Sequence, residues 1–173
     1  MVTHKLATLA YIVHDQEVLL LLRNKKNNDF HKGKYVGIGG RLEPGETPLE
    51  CVIRELKEET GYILKPNEIK FRGYIYFDKI GRDRNIQDLP AFNWLVFLYY
   101  VSIDKKIAFI NPEGELRWFP FKSIPYDKMW AGDKIFTPKL LKTEDVIEGK
   151  FLYDDNDQIA KWSFGTGAKD TYL

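Results

Sequence analysis

The hydrophobic positions fall into short blocks with two different periods. Leu6 to Val13 is largely apolar and predicts a strand. Val18 to Leu22 is almost wholly apolar and predicts a second strand, buried on both faces. His14-Asp15-Gln16 between them is short enough to make the pair a hairpin. Asn24 to Lys34, rich in Lys and Asn, reads as a loop. Tyr35 to Gly40 alternates large residues with glycine, and Glu43-Pro44-Gly45-Glu46 reads as a turn. Further strands are predicted near Ile69–Asp78, Phe92–Ser102 and Leu116–Phe121, the first two joined by a charged loop from Lys79 to Pro90. Short helical pieces are expected around Phe121–Tyr126 and Thr137–Leu141. Lys150–Tyr153 and Ile159–Phe164, on either side of Asp154-Asp155-Asn156-Asp157, predict a closing hairpin. The C-terminal stretch, with Gly165-Thr166-Gly167, is either ordered or free. No repeat, low-complexity tract or linker breaks the pattern, so one α+β domain with a mixed sheet is expected over residues 1–173.

The period changes to that of a helix between Thr47 and Thr60. Thr47 can cap it, Pro48 suits the first helical position and Glu50 completes a capping box. Gly61 stands where a left-handed C-terminal cap belongs. At about 100° per residue, Leu49, Val52, Ile53 and Leu56 form one apolar stripe, the face that packs on the sheet. Glu55, Glu58 and Glu59 fall together within an arc of roughly 100° elsewhere on the helix. Like charges at these spacings weaken a helix by about a few tenths of a kcal/mol per pair. Such a run is commonly a solvated face. A hard divalent cation is the alternative, because it offsets the repulsion and prefers carboxylate oxygen. Arg54 is predicted to point away from that face and to pair with Glu46. Cys51 lies on the glutamate side, where a small space-filler is the ordinary reading.

Composition narrows the choices. Hydrophobic residues make up 44% and charged residues 29% of the 173, ordinary for a globular chain, and the formal net charge is +1. That balance argues against a long nucleic acid as partner, although Lys5, Arg23, Lys25, Lys26, Lys32 and Lys34 form a local basic set. A single cysteine forms no internal disulfide, which fits a reducing compartment. The apolar run near the N-terminus is too short to span a bilayer and has no cleavage site after it. A soluble cytoplasmic protein with no membrane partner is expected.

Gly40, Glu46, Arg54, Glu55, Leu56, Glu58, Glu59 and Gly61 stand in the order G-x5-E-x7-R-E-L-x-E-E-x-G. This resembles the Nudix box, with Tyr62 as the one departure, at a position the family gives to a bulky aliphatic residue. The resemblance implies a Nudix fold, an α/β/α sandwich around a mixed sheet, and hydrolysis of a phosphoanhydride bond. It implies Mg²⁺, with Mn²⁺ as an alternative, held by Glu55, Glu58 and Glu59 with the Gly40 carbonyl. Glu55 would orient or deprotonate the attacking water, and Arg54 and Glu46 would brace the site. Family members usually add an acid from outside the box. Glu113, in Asn111-Pro112-Glu113-Gly114-Glu115, is the candidate, though it also reads as an exposed turn residue.

Beyond the box, Leu22-Arg23-Asn24-Lys25-Lys26, Lys34 to Gly40, Trp118-Phe119-Pro120, Ile124-Pro125 and Met129-Trp130-Ala131-Gly132-Asp133 look like MutT-type 8-oxo-dGTP diphosphatases. That branch implies a small-molecule nucleotide substrate, cleavage of oxidised purine triphosphates such as 8-oxo-dGTP to monophosphate and pyrophosphate, and cleansing of the nucleotide pool, by a monomer or homodimer. Trp130 would stack on the base, Asp133 would bond its edge and Phe77 would form the opposite wall. Arg23 would meet the phosphates or cap a strand end, and Trp130 and Phe77 also read as core aromatics. Animal members have an asparagine where this chain has Val36, and an aspartate pair where it has Gly132-Asp133. Two rivals remain. One is a Nudix hydrolase of ADP-ribose, a dinucleoside polyphosphate or another nucleoside diphosphate derivative. The other is a Nudix-fold binding module without turnover.

Overall fold

The computed structural model describes residues 4–26, 29–79 and 93–165. The expected loop after Lys79, Phe92 and the last residues of the chain lie outside the described residues. The elements run β1 (Lys5–His14), β2 (Glu17–Arg23), β3 (Tyr35–Val36), α1 (Pro48–Thr60), β4 (Ile69–Lys79), β5 (Trp94–Ser102), β6 (Gly114–Pro120), α2 (Ala131–Lys142), β7 (Ile147–Tyr153) and β8 (Ile159–Phe164). Turns of 3₁₀ helix cover Pro66–Glu68, Phe121–Ser123 and Tyr126–Lys128.

Among the described residues the strands form one mixed sheet in the order β3-β2-β1-β5-β4-β7-β8, with β6 on the other edge of β2. β1–β5 and β4–β7 are parallel and the other pairs antiparallel. Asp15 and Gln16 both take positive φ, 46° and 63°, the twist a two-residue hairpin needs between β1 and β2. β2 pairs with β1 only from Glu17 to Leu19 and then diverges, so that β3 pairs with it at Leu21 and Leu22. The chain after β3 runs on beside β1, with Ala10 bridged to Ile38 and Ala7 to Arg41. This insertion carries the glycine-rich strand to the foot of α1.

Alternation along β1 and β2 separates two cores. Tyr11, Val13, Val18 and Leu20 face a cluster with Phe136 and Leu140 of α2. Ala10, Ile12, Leu19 and Leu21 face Val52 and Leu56 of α1. Each valine, leucine, isoleucine or phenylalanine buried in this way contributes about 1.5–3 kcal/mol by transfer from water. The predicted stripe holds: Val52 and Leu56 are fully buried, with Leu49 and Ile53 packed beside them. The helix expected at Thr137–Leu141 is longer than its pattern indicates, since α2 begins at Ala131. Pro138 sits inside it and donates no backbone hydrogen bond, which makes the sequence read as a helix start. Burial of Phe136 and Leu140 favours the longer helix. No helix among the described residues is long and apolar enough to cross a membrane.

Candidate active site

α1 is held at both ends. The Thr47 hydroxyl accepts from the Glu50 N–H at 3.3 Å and the Thr47 N–H donates to Glu50 Oε2 at 2.8 Å. Gly61 closes the other end at φ 76°, its N–H donating to the Lys57 carbonyl at 3.0 Å. Glu55, Glu58 and Glu59 are therefore presented at fixed heights on a capped helix, beside the glycine-rich strand. Gly39 donates its N–H to Glu59 Oε2 at 3.0 Å. Gly40 leaves the space that Glu55 occupies, since a Cβ there would lie 2.2 Å from Glu55 Oε1. The Gly40 carbonyl already accepts from the Thr8 N–H at 2.8 Å, which uses one of its two lone pairs.

The three carboxylates differ in environment. Glu58 is open to solvent, its side chain 59% exposed, while that of Glu59 is 8% exposed. Burial, above all, raises the Glu59 carboxyl to about 8, with Glu55 and Glu113 adding negative charge nearby. Burial also raises Glu55, against the opposing pull of Arg54.

Arg54 departs from expectation in one respect. Its Nε and Nη2 clasp Glu46 at 2.7 and 3.0 Å, the pairing read from the sequence. That bidentate bond holds Glu46 down at about 2. Instead of turning wholly away, however, Arg54 puts Nη1 2.7 Å from Glu55 and 3.3 Å from Glu58. One residue is about 100° on a helix, and the long arginine stem spans that gap. Cys51 is fully buried between Thr8 and the Gly40 and Arg41 carbonyls. Burial pushes its thiol up to about 11, so it is an inert filler.

Glu113 joins this group from the other side. Arg23 and Lys26 both donate to its carboxylate. Arg23 Nε also holds Asp29 at 2.6 Å, and Nη1 lies 4.0 Å from Glu59 Oε1. The Arg23 guanidinium thus faces protein carboxylates. The sequence reading did not single out Asn111, which is buried and fixes this arrangement. Its Nδ2 donates to the Glu59 carbonyl at 2.9 Å, and its Oδ1 accepts from the Glu113 N–H at 2.7 Å. A buried asparagine with both ends bonded ties the Glu113 loop to the end of α1.

A second group of candidates gathers at the start of α2. Trp130 takes the N-cap position, and its ring is already in contact. Phe30 stacks on it, centroids 4.8 Å apart and planes at 12°, and the Lys34 ammonium lies 5.3 Å from the ring centre. Asp133 is buried, and burial raises its carboxyl to about 7. Phe77 packs with Phe136, Phe151 and Tyr153 on the α2 side and limits the space at Gly132, where a Cβ would meet it at 3.1 Å. Val36 does not join this group. It pairs with Leu21 and packs on the α1 core, because side chains alternate across a strand and Tyr35 takes the α2 side.

Asp133 gives a pH test. Its folded pKa lies above its unfolded one, so the neutral carboxyl favours folding. That contribution is complete below about 4 and is lost as pH rises through about 7. Asp133→Asn is expected to gain stability relative to wild type between those limits, read by urea unfolding at pH 5 and 7.5. Parallel pH profiles would contradict it.

The donor set suits a hard cation: carboxylate oxygens from Glu55, Glu58, Glu59 and Glu113, two of them raised by burial and mutual repulsion. Among the described residues, no three acidic, histidine or cysteine side chains already converge as a metal-binding group. Glu55 and Glu58 are turned onto Arg54, and Glu113 onto Arg23 and Lys26.

Residues 3–140 match the NUDIX domain family. The chain belongs to the Nudix family. Nudix hydrolases are pyrophosphohydrolases that act on phosphoanhydride bonds of small nucleotides and generally use divalent metal ions. Along 165 residues this Nudix chain is 30% identical to the oxidized purine nucleoside triphosphate hydrolase of Mus musculus, covering 94% of this chain and 96% of the relative. The protein of the same name from Danio rerio is 31% identical, covering 93% and 94%. A MutT protein from Bacillus halodurans has the same fold, with a TM-score of 0.73, 25% identity and coverage of 92% and 97%. The Nudix fold accounts for the mixed sheet between α1 and α2.

Proposed function

We propose that this Nudix enzyme is a Mg²⁺-dependent pyrophosphohydrolase of oxidised purine nucleoside triphosphates, such as 8-oxo-dGTP, and so clears them from the nucleotide pool. The observation that carries this reading is the presence of an indole and a buried carboxyl, Trp130 and Asp133, together in the opening turn of α2. An aromatic face contributes about 1–3 kcal/mol per stacked base whatever the base. A carboxyl kept neutral up to about pH 7 both donates and accepts, as the altered edge of an oxidised purine requires. The end-to-end likeness to oxidized purine nucleoside triphosphate hydrolases supports the same assignment.

Glu55, Glu58, Glu59 and Glu113 would hold Mg²⁺, or Mn²⁺ in its place. Bound there, the cation supplies charge neutralisation along the phosphate chain. Glu55, raised by burial, takes a proton from the attacking water. The water oxygen bonds to phosphorus as the phosphoanhydride P–O bond breaks, and the products are a nucleoside monophosphate and pyrophosphate. Glu46 holds Arg54, and Arg54 holds Glu55 and Glu58 in register. Arg23 keeps Glu113 and Glu59 beside one another at the phosphate end.

A substrate panel with Mg²⁺ tests the reading. 8-oxo-dGTP is expected to turn over with a kcat/KM at least about tenfold above that of dGTP, since a bonded substrate edge discriminates strongly. Faster turnover of ADP-ribose than of every triphosphate would overturn it.

A further inference from the structure

The loop between β2 and β3 makes a contact that the box does not require. The indole Nε1–H of Trp130 donates to His31 Nδ1 at 2.8 Å. An indole nitrogen only donates, so Nδ1 must accept and His31 is the neutral Nε2–H tautomer. The imidazole stands edge-on to the indole, 5.8 Å between centroids at 83°, and edge-on to Phe30 at 5.3 Å and 81°. Phe30 stacks on the indole face. The indole is thus fixed in its plane by a bond at its edge and out of its plane by a ring on its face.

The same loop is anchored at the other end of the site. The His31 backbone N–H donates to Asp29 Oδ1 at 2.9 Å. Arg23 holds Asp29 Oδ2 with Nε and Glu113 with Nη1. A continuous set of bonds therefore runs from the Trp130 indole through His31, Asp29 and Arg23 to the carboxylates.

We propose that His31 is a positioning residue for substrate recognition: by accepting the Trp130 indole bond from an anchored loop, it sets the base platform relative to the phosphate-cleaving end. This rests on the reading above that Trp130 meets the base. Burial, and next the charge of Arg23, hold His31 below the usual histidine range, which keeps the acceptor form in place at neutral pH.

The test uses His31→Phe, which keeps a packing ring without an acceptor, and His31→Gln, which keeps an acceptor without the ring. Trp130→Ala is the control. Hydrolysis of 8-oxo-dGTP with Mg²⁺ gives kcat and KM, and the ¹⁵N-labelled protein gives the Trp130 indole N–H resonance. His31→Phe is expected to raise KM about fivefold, the worth of one neutral hydrogen bond, with kcat within about twofold and the indole resonance displaced. His31→Gln is expected to restore both. An unchanged KM in His31→Phe, with a raised KM in Trp130→Ala, overturns the proposal and leaves the base platform standing. Impairment in both His31 variants also overturns it, since the acceptor would then not be what matters. An unchanged KM in Trp130→Ala overturns the platform itself.

Discussion

Glu58→Gln is expected to lower kcat for a nucleoside triphosphate by about two to three orders of magnitude, while the melting temperature stays within about two degrees of wild type. The two halves of this expectation have separate causes. Glu58 projects into solvent, and its only described partner is Arg54 Nη1 at 3.3 Å, so little folding energy depends on its charge. An exposed ion pair of this kind contributes about 0–1 kcal/mol. Glutamine has the same shape and still accepts from Arg54. It loses the negative charge that a divalent cation requires, and the apparent affinity for Mg²⁺ should weaken with the rate. Steady-state kinetics across a Mg²⁺ titration, with thermal melts in parallel, read both effects. A wild-type rate would remove Glu58 from the reaction, and a large fall in melting temperature would make it a structural residue.

Much of this site is legible in the chain because its parts are local. Thr47, Pro48, Glu50 and Gly61 determine α1 through contacts no longer than one turn, and all of them form as read. The facing of Glu55, Glu58 and Glu59 follows from helical geometry alone. What pattern misses is set by reach and by tertiary contact. The direction of its Cα–Cβ bond points Arg54 away from the glutamate face, yet its guanidinium crosses to Glu55 and Glu58. Val36 stands where animal members of the resembled branch have an asparagine, but β2–β3 pairing turns its side chain to the α1 core. Phe30 and His31 lie in a segment dominated by Lys and Asn, which reads only as a loop. Their one signal is two aromatic rings side by side in polar surroundings, and the partner that gives them meaning is far along the chain. Asn111 likewise reads as an ordinary turn residue until the Glu59 carbonyl is seen beside it.

Gly39 and Gly40 are adjacent, yet alanine should do opposite things at the two positions. A Cβ on Gly39 would lie 2.1 Å from the Thr8 carbonyl oxygen and 3.1 Å from the Leu9 Cα. Both are backbone atoms of β1, paired along its length with β5, so neither yields without shifting strands. Gly39→Ala is expected to cost about 3 kcal/mol or more of stability, seen as a lower denaturant midpoint. At Gly40 the atoms in the way are Oε1, Cδ and Oε2 of Glu55, at 2.2, 2.5 and 2.9 Å. These form the far end of a flexible side chain, which gives up its Arg54 bond and rotates aside at small cost to folding. The displacement is larger than the placement a reacting group tolerates, where about 1 Å costs about 10²-fold in rate. Gly40→Ala should therefore melt close to wild type while kcat falls by about two orders of magnitude. A fully active Gly40→Ala would mean that Glu55 acts from some other position. An unfolded one would mean that the glycine serves the strand and not the carboxylate.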